Sequence, residues 1–99
     1  MVRHIVIWDF QDQWTDEEKE THFQHMKEIL EALPAVIPGV VSLKIARPLP
    51  SAGGDIVLNG VYESEEALRR YIVHPAHVEA GKYVRSVVTN RRGVDFVEE

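Results

Sequence analysis

The sequence contains no cysteine, so neither disulfide bonds nor thiolate chemistry can contribute to this protein. It also lacks an apolar run long enough to span a bilayer, which requires about 20 residues. The apolar stretch within residues 1–9 is short and ends at the charged Asp9, which argues against a signal peptide. We therefore expect a cytoplasmic protein with no membrane partner.

Basic residues are fewer than acidic ones, 11 against 16, and the formal net charge is −5. Nonspecific nucleic-acid binding needs lysine and arginine to neutralise phosphates, so no nucleic-acid partner is expected. The one basic cluster, which contains Arg85, Arg91 and Arg92, is interpreted as the solvated end of a strand. No set of histidines and carboxylates has the spacing of a metal site, so we expect no bound metal.

The 99 residues are expected to form one domain over 1–99, since 44% are hydrophobic and 27% charged, as in ordinary globular proteins. Apolar alternation predicts strands over residues 3–10, 40–46, 56–62 and 89–97. In the second strand, Val41, Leu43 and Ile45 are expected on one side. In the first, both sides are largely apolar: one carries His4, Val6, Trp8 and Phe10, and the other Arg3, Ile5, Ile7 and Asp9.

Two helical regions are predicted between the strands. Thr15 begins a capping box at the start of the first helix, which ends near Leu33. Ser64 caps the second helix, which breaks before Pro75. A short helical piece then runs from residue 75 toward 85 and is expected to be loosened at Gly81. The order βαββαβ predicts an α+β protein with the ferredoxin-like fold and an antiparallel sheet.

The ferredoxin-like fold leaves one face of its sheet without helices. The apolar residues on both sides of the first strand indicate that this open face is covered as well. A second copy of the sheet would cover it and close a barrel, and a symmetric dimer is the commonest oligomer. We therefore expect a homodimer through the open sheet face, which gives a dimeric α/β barrel.

The segment YIVHPAHV, residues 71–78, is the place where the sequence indicates chemistry. It contains a tyrosine and two histidines, and histidine can both take and give a proton near neutral pH. Pro75 stops the preceding helix and is a good first residue for a new one. Tyr71 and His77 can therefore converge on a common point, which predicts a site for a small molecule.

The order of elements, the opening VRHIV of residues 2–6, the segment of residues 71–77 and the closing VDF of residues 94–96 together resemble the stress-responsive dimeric α/β-barrel family. The resemblance covers essentially the whole chain. It implies a ferredoxin-like protomer that pairs into a barrel. Many members have no assigned activity, and some hold a metal ion at the sheet face.

One plant member of that family is a polyketide cyclase, which performs an intramolecular aldol condensation without a metal or organic cofactor. Its catalytic tyrosine and histidine match Tyr71 and His77 here, and a histidine of its first strand matches His4. A further histidine in its third strand falls at about Ile56. The resemblance therefore implies a cofactor-free pocket and leaves the substrate open.

Two functions follow as hypotheses. In the first, the protein is a binding or structural barrel of uncertain activity, which holds a small apolar or aromatic carbonyl ligand in a pocket between sheet and helices, or no ligand. In the second, it is a cofactor-free cyclase, lyase or isomerase, in which His77 removes a proton next to a carbonyl. Tyr71 would donate a hydrogen bond to the carbonyl oxygen, and His4 would orient the His77 ring.

Each candidate residue also has a purely structural interpretation. His77 could pack at a helix start, and Tyr71 or His4 could be a core residue with a satisfied polar group. The candidate ligand contacts are Phe23, Met26 and Leu30 on the first helix, which could equally be core, and His74, which could serve the turn before proline. His22 and His25 are expected at exposed helix positions rather than as metal ligands.

Overall fold

A computed structural model describes residues 1–50 and 53–99. Four strands and three helices follow one another in the order βαββααβ, because Pro75 divides the second helical region in two. Their bounds are β1 Val2–Phe10, α1 Asp16–Glu31, β2 Val40–Ala46, β3 Ile56–Tyr62, α2 Glu65–Val73, α3 Pro75–Val87 and β4 Val88–Val97. This is the ferredoxin-like arrangement, and the predicted fold class is confirmed.

The strands form one antiparallel sheet in the order β2-β3-β1-β4, so β1 lies in the interior of the sheet. In this register His4 lies opposite Gly60 of β3 on one side and Asp95 of β4 on the other. The helices cover one face of the sheet, and along β1 the residues alternate between buried and half-buried. His4, Val6, Trp8 and Phe10 are buried together, as predicted.

The helices begin where their capping residues predict. The Thr15 side chain accepts a hydrogen bond from the Glu18 amide at 3.1 Å, and the Glu18 carboxylate accepts one from the Thr15 amide at 2.9 Å. Ser64 caps α2 by accepting from the Ala67 amide at 3.1 Å. The first helical region ends in a short 3-10 turn at Leu33–Ala35, which Pro34 enters without a loss of hydrogen bonding.

Two local predictions are wrong. The expected loosening at Gly81 is absent, since α3 runs without a break over Pro75–Val87 and is anchored by buried Ala80, Val84 and Val87. A single glycine costs a helix only about 1 kcal/mol, which such packing offsets. In β2, a bulge between Val40 and Ser42 leaves Val41 50% exposed, so Val40 packs inward with Leu43 and Ile45 instead.

The opposite face of the sheet has no helical cover. Ile5 and Ile7 of β1 are half-buried there, whereas Val94 and Phe96 of β4 are 57% and 44% exposed. Ile5 and Val94 are direct cross-strand partners, so these side chains form one apolar surface, which we call the open-face patch. Within residues 1–50 and 53–99, none of the helices has the length and apolar content that crossing a membrane requires.

Candidate functional site

A cavity of about 310 Å³ lies between the helix-covered face of the sheet and the helices. It brings together His4 of β1 with Tyr71 of α2 and His77 of α3, so the three candidate residues of the predicted chemistry share one space. The rest of the lining is mostly apolar, apart from two arginines at its edge. The lining residues are His4, Val6, Trp8, Leu30, Leu58, Tyr71, Ile72, His77, Gly81, Val84, Arg85 and Arg91.

The break between α2 and α3 orients the His77 ring. Pro75 has no amide hydrogen, and the Ala76 amide donates to Nδ1 of His74 at 3.1 Å instead of to a carbonyl one turn earlier. The Ile72 carbonyl, which would have been its helical partner, is therefore free, and Nδ1 of His77 lies 3.0 Å from it. Because a carbonyl can only accept, Nδ1 carries the hydrogen and Nε2 keeps a lone pair.

The surroundings of His77 favour its neutral form. Burial lowers the pKa of His77 below its ordinary value of 6.5, and the charges of Arg85 and Arg91 act in the same direction. The hydrogen bond to the Ile72 carbonyl opposes these effects without cancelling them. The Nε2 lone pair is therefore available to accept a proton at neutral pH.

Tyr71 is placed to donate a hydrogen bond beside this base. Its side chain is 2% exposed, and its ring centroid lies 4.3 Å from that of His77. The buried Tyr62 ring packs edge-on against its other side at 5.0 Å. Burial raises the pKa of Tyr71 to about 12, so the hydroxyl stays protonated and can stabilise negative charge on an oxygen only as a hydrogen-bond donor.

His4 has a hydrogen-bond partner on the neighbouring strand. Its Nδ1 is hydrogen-bonded to the carboxylate of Asp95, the residue opposite it on β4. Asp95 therefore fixes the His4 ring, while the Ile72 carbonyl fixes the His77 ring. The predicted hydrogen bond by which His4 would orient His77 is not found among the described residues, because the helix break supplies the Ile72 carbonyl as the acceptor for His77. His4 instead contributes a polar wall to the cavity.

The four candidate ligand contacts separate in the structure. Leu30 lines the cavity, but Phe23 and Met26 belong to the core outside it. The reason is the helical period: Leu30 follows Met26 by one turn and lies a turn closer to the cavity end of α1. His74 is outside the cavity lining as well, since its ring caps the start of α3.

His22 and His25 lie on the outer part of α1. His25 is exposed, as predicted, but His22 is half-buried and that prediction is wrong. Its ring packs against that of Trp14 in a tilted arrangement, with the centroids 4.2 Å apart, and its Nδ1 lies 2.5 Å from the Tyr83 hydroxyl. In the part of the chain that the structure describes, no group of three His, Asp or Glu side chains is arranged to hold a metal ion.

Arg85 and Arg91 are the site residues that the sequence interpretation missed. Both side chains are exposed, as predicted, but they also line the cavity, and Arg85 lies on α3 rather than on a strand. Arg92 pairs with Asp9 at 3.2 Å elsewhere on the surface. The sequence did contain a signal for Arg85. Arg85 follows His77 by eight residues in a helix that begins at Pro75, so the two side chains lie on the same side of that helix.

Comparison with known proteins gives a consistent result. The profile of the Stress Responsive A/B Barrel Domain family matches residues 2–98. Olivetolic acid cyclase from Cannabis sativa is 28% identical over 85 residues, which is 86% of this chain and 84% of the cyclase. These matches agree with the resemblance that the sequence motifs predict.

Solved structures show the same fold. A dimeric protein of unknown function with a ferredoxin-like fold, from Bacteroides fragilis, has a TM-score of 0.86 and 31% identity, over 96% of this chain and 93% of that one. Hydroxynitrile lyase from Passiflora edulis has a TM-score of 0.81 and 14% identity, over 99% and 93%. At that identity the likeness to the lyase concerns the fold alone.

Proposed function

The chain belongs to the stress-responsive A/B barrel domain family, and from this premise we propose that it binds a small carbonyl compound with an apolar body. The observation that carries the proposal is the pairing in one cavity of a histidine lone pair with a protonated tyrosine. Val6, Trp8 and Leu30 suit an alkyl or aromatic body, and Tyr71 suits the carbonyl oxygen. A volume of about 310 Å³ fits a small ligand.

The orientation of His77 favours a second candidate function at the same site, cofactor-free proton abstraction. Nε2 of His77 would take a proton from the carbon next to the carbonyl, and the C–H electron pair would move toward the carbonyl oxygen. Tyr71 would donate a hydrogen bond to the enolate oxygen that forms. The enolate carbon could then attack a second carbonyl of the same ligand, a cyclase-like reaction that the 28% identity to olivetolic acid cyclase supports.

We further propose that two copies pair through the open-face patch. Its side chains are apolar, with Val94 and Phe96 exposed and Ile5 and Ile7 half-buried in the isolated protomer, and the relative from Bacteroides fragilis is dimeric. The cavity lies on the helix-covered face of the sheet, so each protomer would keep its own cavity in the dimer. Pairing would cover the outer side of β1, which carries Ile5 and Ile7.

The binding proposal can be tested with acetonaphthone, an aromatic methyl ketone, by thermal shift and fluorescence titration. We expect stabilisation of the wild type and affinity losses of about three- to tenfold in Tyr71→Phe, since one hydrogen bond is removed. His77→Ala should also weaken binding, and the double variant should lose little more than the worse single one. Tyr83→Phe is the control, because Tyr83 contacts His22 away from the cavity.

The two candidate functions differ in one measurable property. If His77 abstracts a proton, the methyl protons of bound acetonaphthone should exchange with deuterated solvent faster with wild type than with His77→Ala, by about 10²-fold or more. Equal exchange in the two proteins would leave binding as the function. Equal stabilisation of wild type and all cavity variants by the ketone would place the ligand elsewhere and contradict both.

A further inference from the structure

Two arginines have no acidic partner within residues 1–50 and 53–99, although acidic residues outnumber basic ones in the sequence. Every other arginine forms an ion pair among the described residues: Arg3 with Glu98, Arg47 with Glu20, Arg69 with Glu65, Arg70 with Glu66 and Arg92 with Asp9. Arg85 and Arg91 form none there, and both line the cavity. The two unpaired guanidinium groups therefore converge on the same space as Tyr71 and His77.

Two glycines give these guanidinium groups room. A Cβ atom on Gly81 would lie 3.1 Å from Nη1 of Arg85, and one on Gly93 would lie 3.2 Å from Nη1 of Arg91. Each guanidinium thus lies against bare backbone, one on α3 and one on β4. Gly93 is the cross-strand partner of Val6, which also lines the cavity. Arg85 therefore reaches the cavity from α3, and Arg91 reaches it from β4.

The chemistry of this pair indicates an anionic group on the ligand. A guanidinium is a planar, permanently charged fork whose geometry matches a carboxylate, and its unpaired form is available to a ligand without breaking an internal ion pair. The formal net charge of −5 makes the protein as a whole unattractive to anions, so a local pair of free cations at one cavity is selective.

We propose that the natural ligand is a carboxylate-bearing carbonyl compound, whose carboxylate is held by Arg85 and Arg91 while its carbonyl faces Tyr71. This inference rests on the proposed function and specifies its substrate class. The same two cations would stabilise negative charge that develops on the ligand during proton abstraction. They also favour the neutral form of His77, the form that a base requires.

The test compares an acetylnaphthoate with its methyl ester by isothermal titration calorimetry. The two probes share the ketone and the ring system and differ in the negative charge. We expect wild type to bind the acid at least about tenfold more tightly than the ester, and added salt to weaken the acid alone. Arg85→Gln and Arg91→Gln should each remove most of this preference, and Arg70→Gln, which changes a paired arginine outside the cavity, should keep it.

The outcomes separate this inference from the proposed function. If wild type binds acid and ester equally, or if both cavity arginine variants keep the preference, the carboxylate assignment is wrong while ketone binding stands. If neither probe binds, the carbonyl site itself is refuted and this inference falls with it. The arginines are exposed, so thermal unfolding of the variants should match wild type, and a loss of preference then reports binding.

Discussion

The substitution Val94→Asp should separate protomer stability from dimer formation. Val94 lies in the open-face patch, opposite Ile5, and is 57% exposed in the protomer. In an isolated protomer the new carboxylate stays hydrated, so the change in unfolding free energy should stay within about 1 kcal/mol. In a dimer closed through this face, two symmetry-related carboxylates lose water without a partner. At about 3 kcal/mol each, this weakens association by about 6 kcal/mol, or about 10⁴-fold.

Sedimentation equilibrium at micromolar concentration measures this effect directly. Wild type should have twice the protomer mass of 11.3 kDa, and Val94→Asp should have the protomer mass. Val73→Asp is the matched control: Val73 is 72% exposed but lies on α2, away from the open-face patch, so this variant should remain dimeric. A dimeric Val94→Asp protein, or a monomeric wild type, would refute pairing through this face.

Two further predictions concern the site histidine and a helix cap. Because the folded pKa of His77 lies below 6.5, the unfolded chain takes up the proton first. The free energy of unfolding should therefore fall as the pH drops through 6.5, and it should fall less in His77→Gln. An NMR titration of His77 with its midpoint above 6.5 would contradict this. Thr15→Ala removes the capping hydrogen bond to Glu18, so it should lower the free energy of unfolding in urea by about 1 kcal/mol. A loss no greater than that caused by Thr21→Ala on the same helix would contradict this prediction.

Much of the fold was predictable from local patterns. The bounds of β2 and β3 were predicted to the residue, because each is a short apolar segment between turn or capping residues. The exposure of Val41 was not predictable, because a bulge depends on how β2 pairs with β3 and not on the sequence of β2 alone. The predicted loosening at Gly81 was wrong for a related reason. Tertiary packing holds α3 together, and this packing outweighs the low helix propensity of glycine.

The meeting of three candidate residues in one cavity was predictable, but their hydrogen bonds were not. Tyr71, His77 and His4 could be identified from residue type and from the proline break. The acceptor for His77 is a backbone carbonyl, which carries no sequence signal and becomes free only through the geometry of the break. The partner of His4 is Asp95, which lies opposite it only because β1 and β4 pair in this register.

NMR of isotope-labelled acetonaphthone can establish whether a ligand carbonyl in the cavity faces the Tyr71 hydroxyl beside His77. With the label on the carbonyl carbon, binding to wild type should move the carbonyl resonance downfield, because a hydrogen bond from a buried donor polarises the C=O group. With Tyr71→Phe, the bound ketone should show the resonance that it has in apolar solvent. An identical bound resonance in the two proteins would mean that Tyr71 does not face the carbonyl, and the proposed site would be wrong.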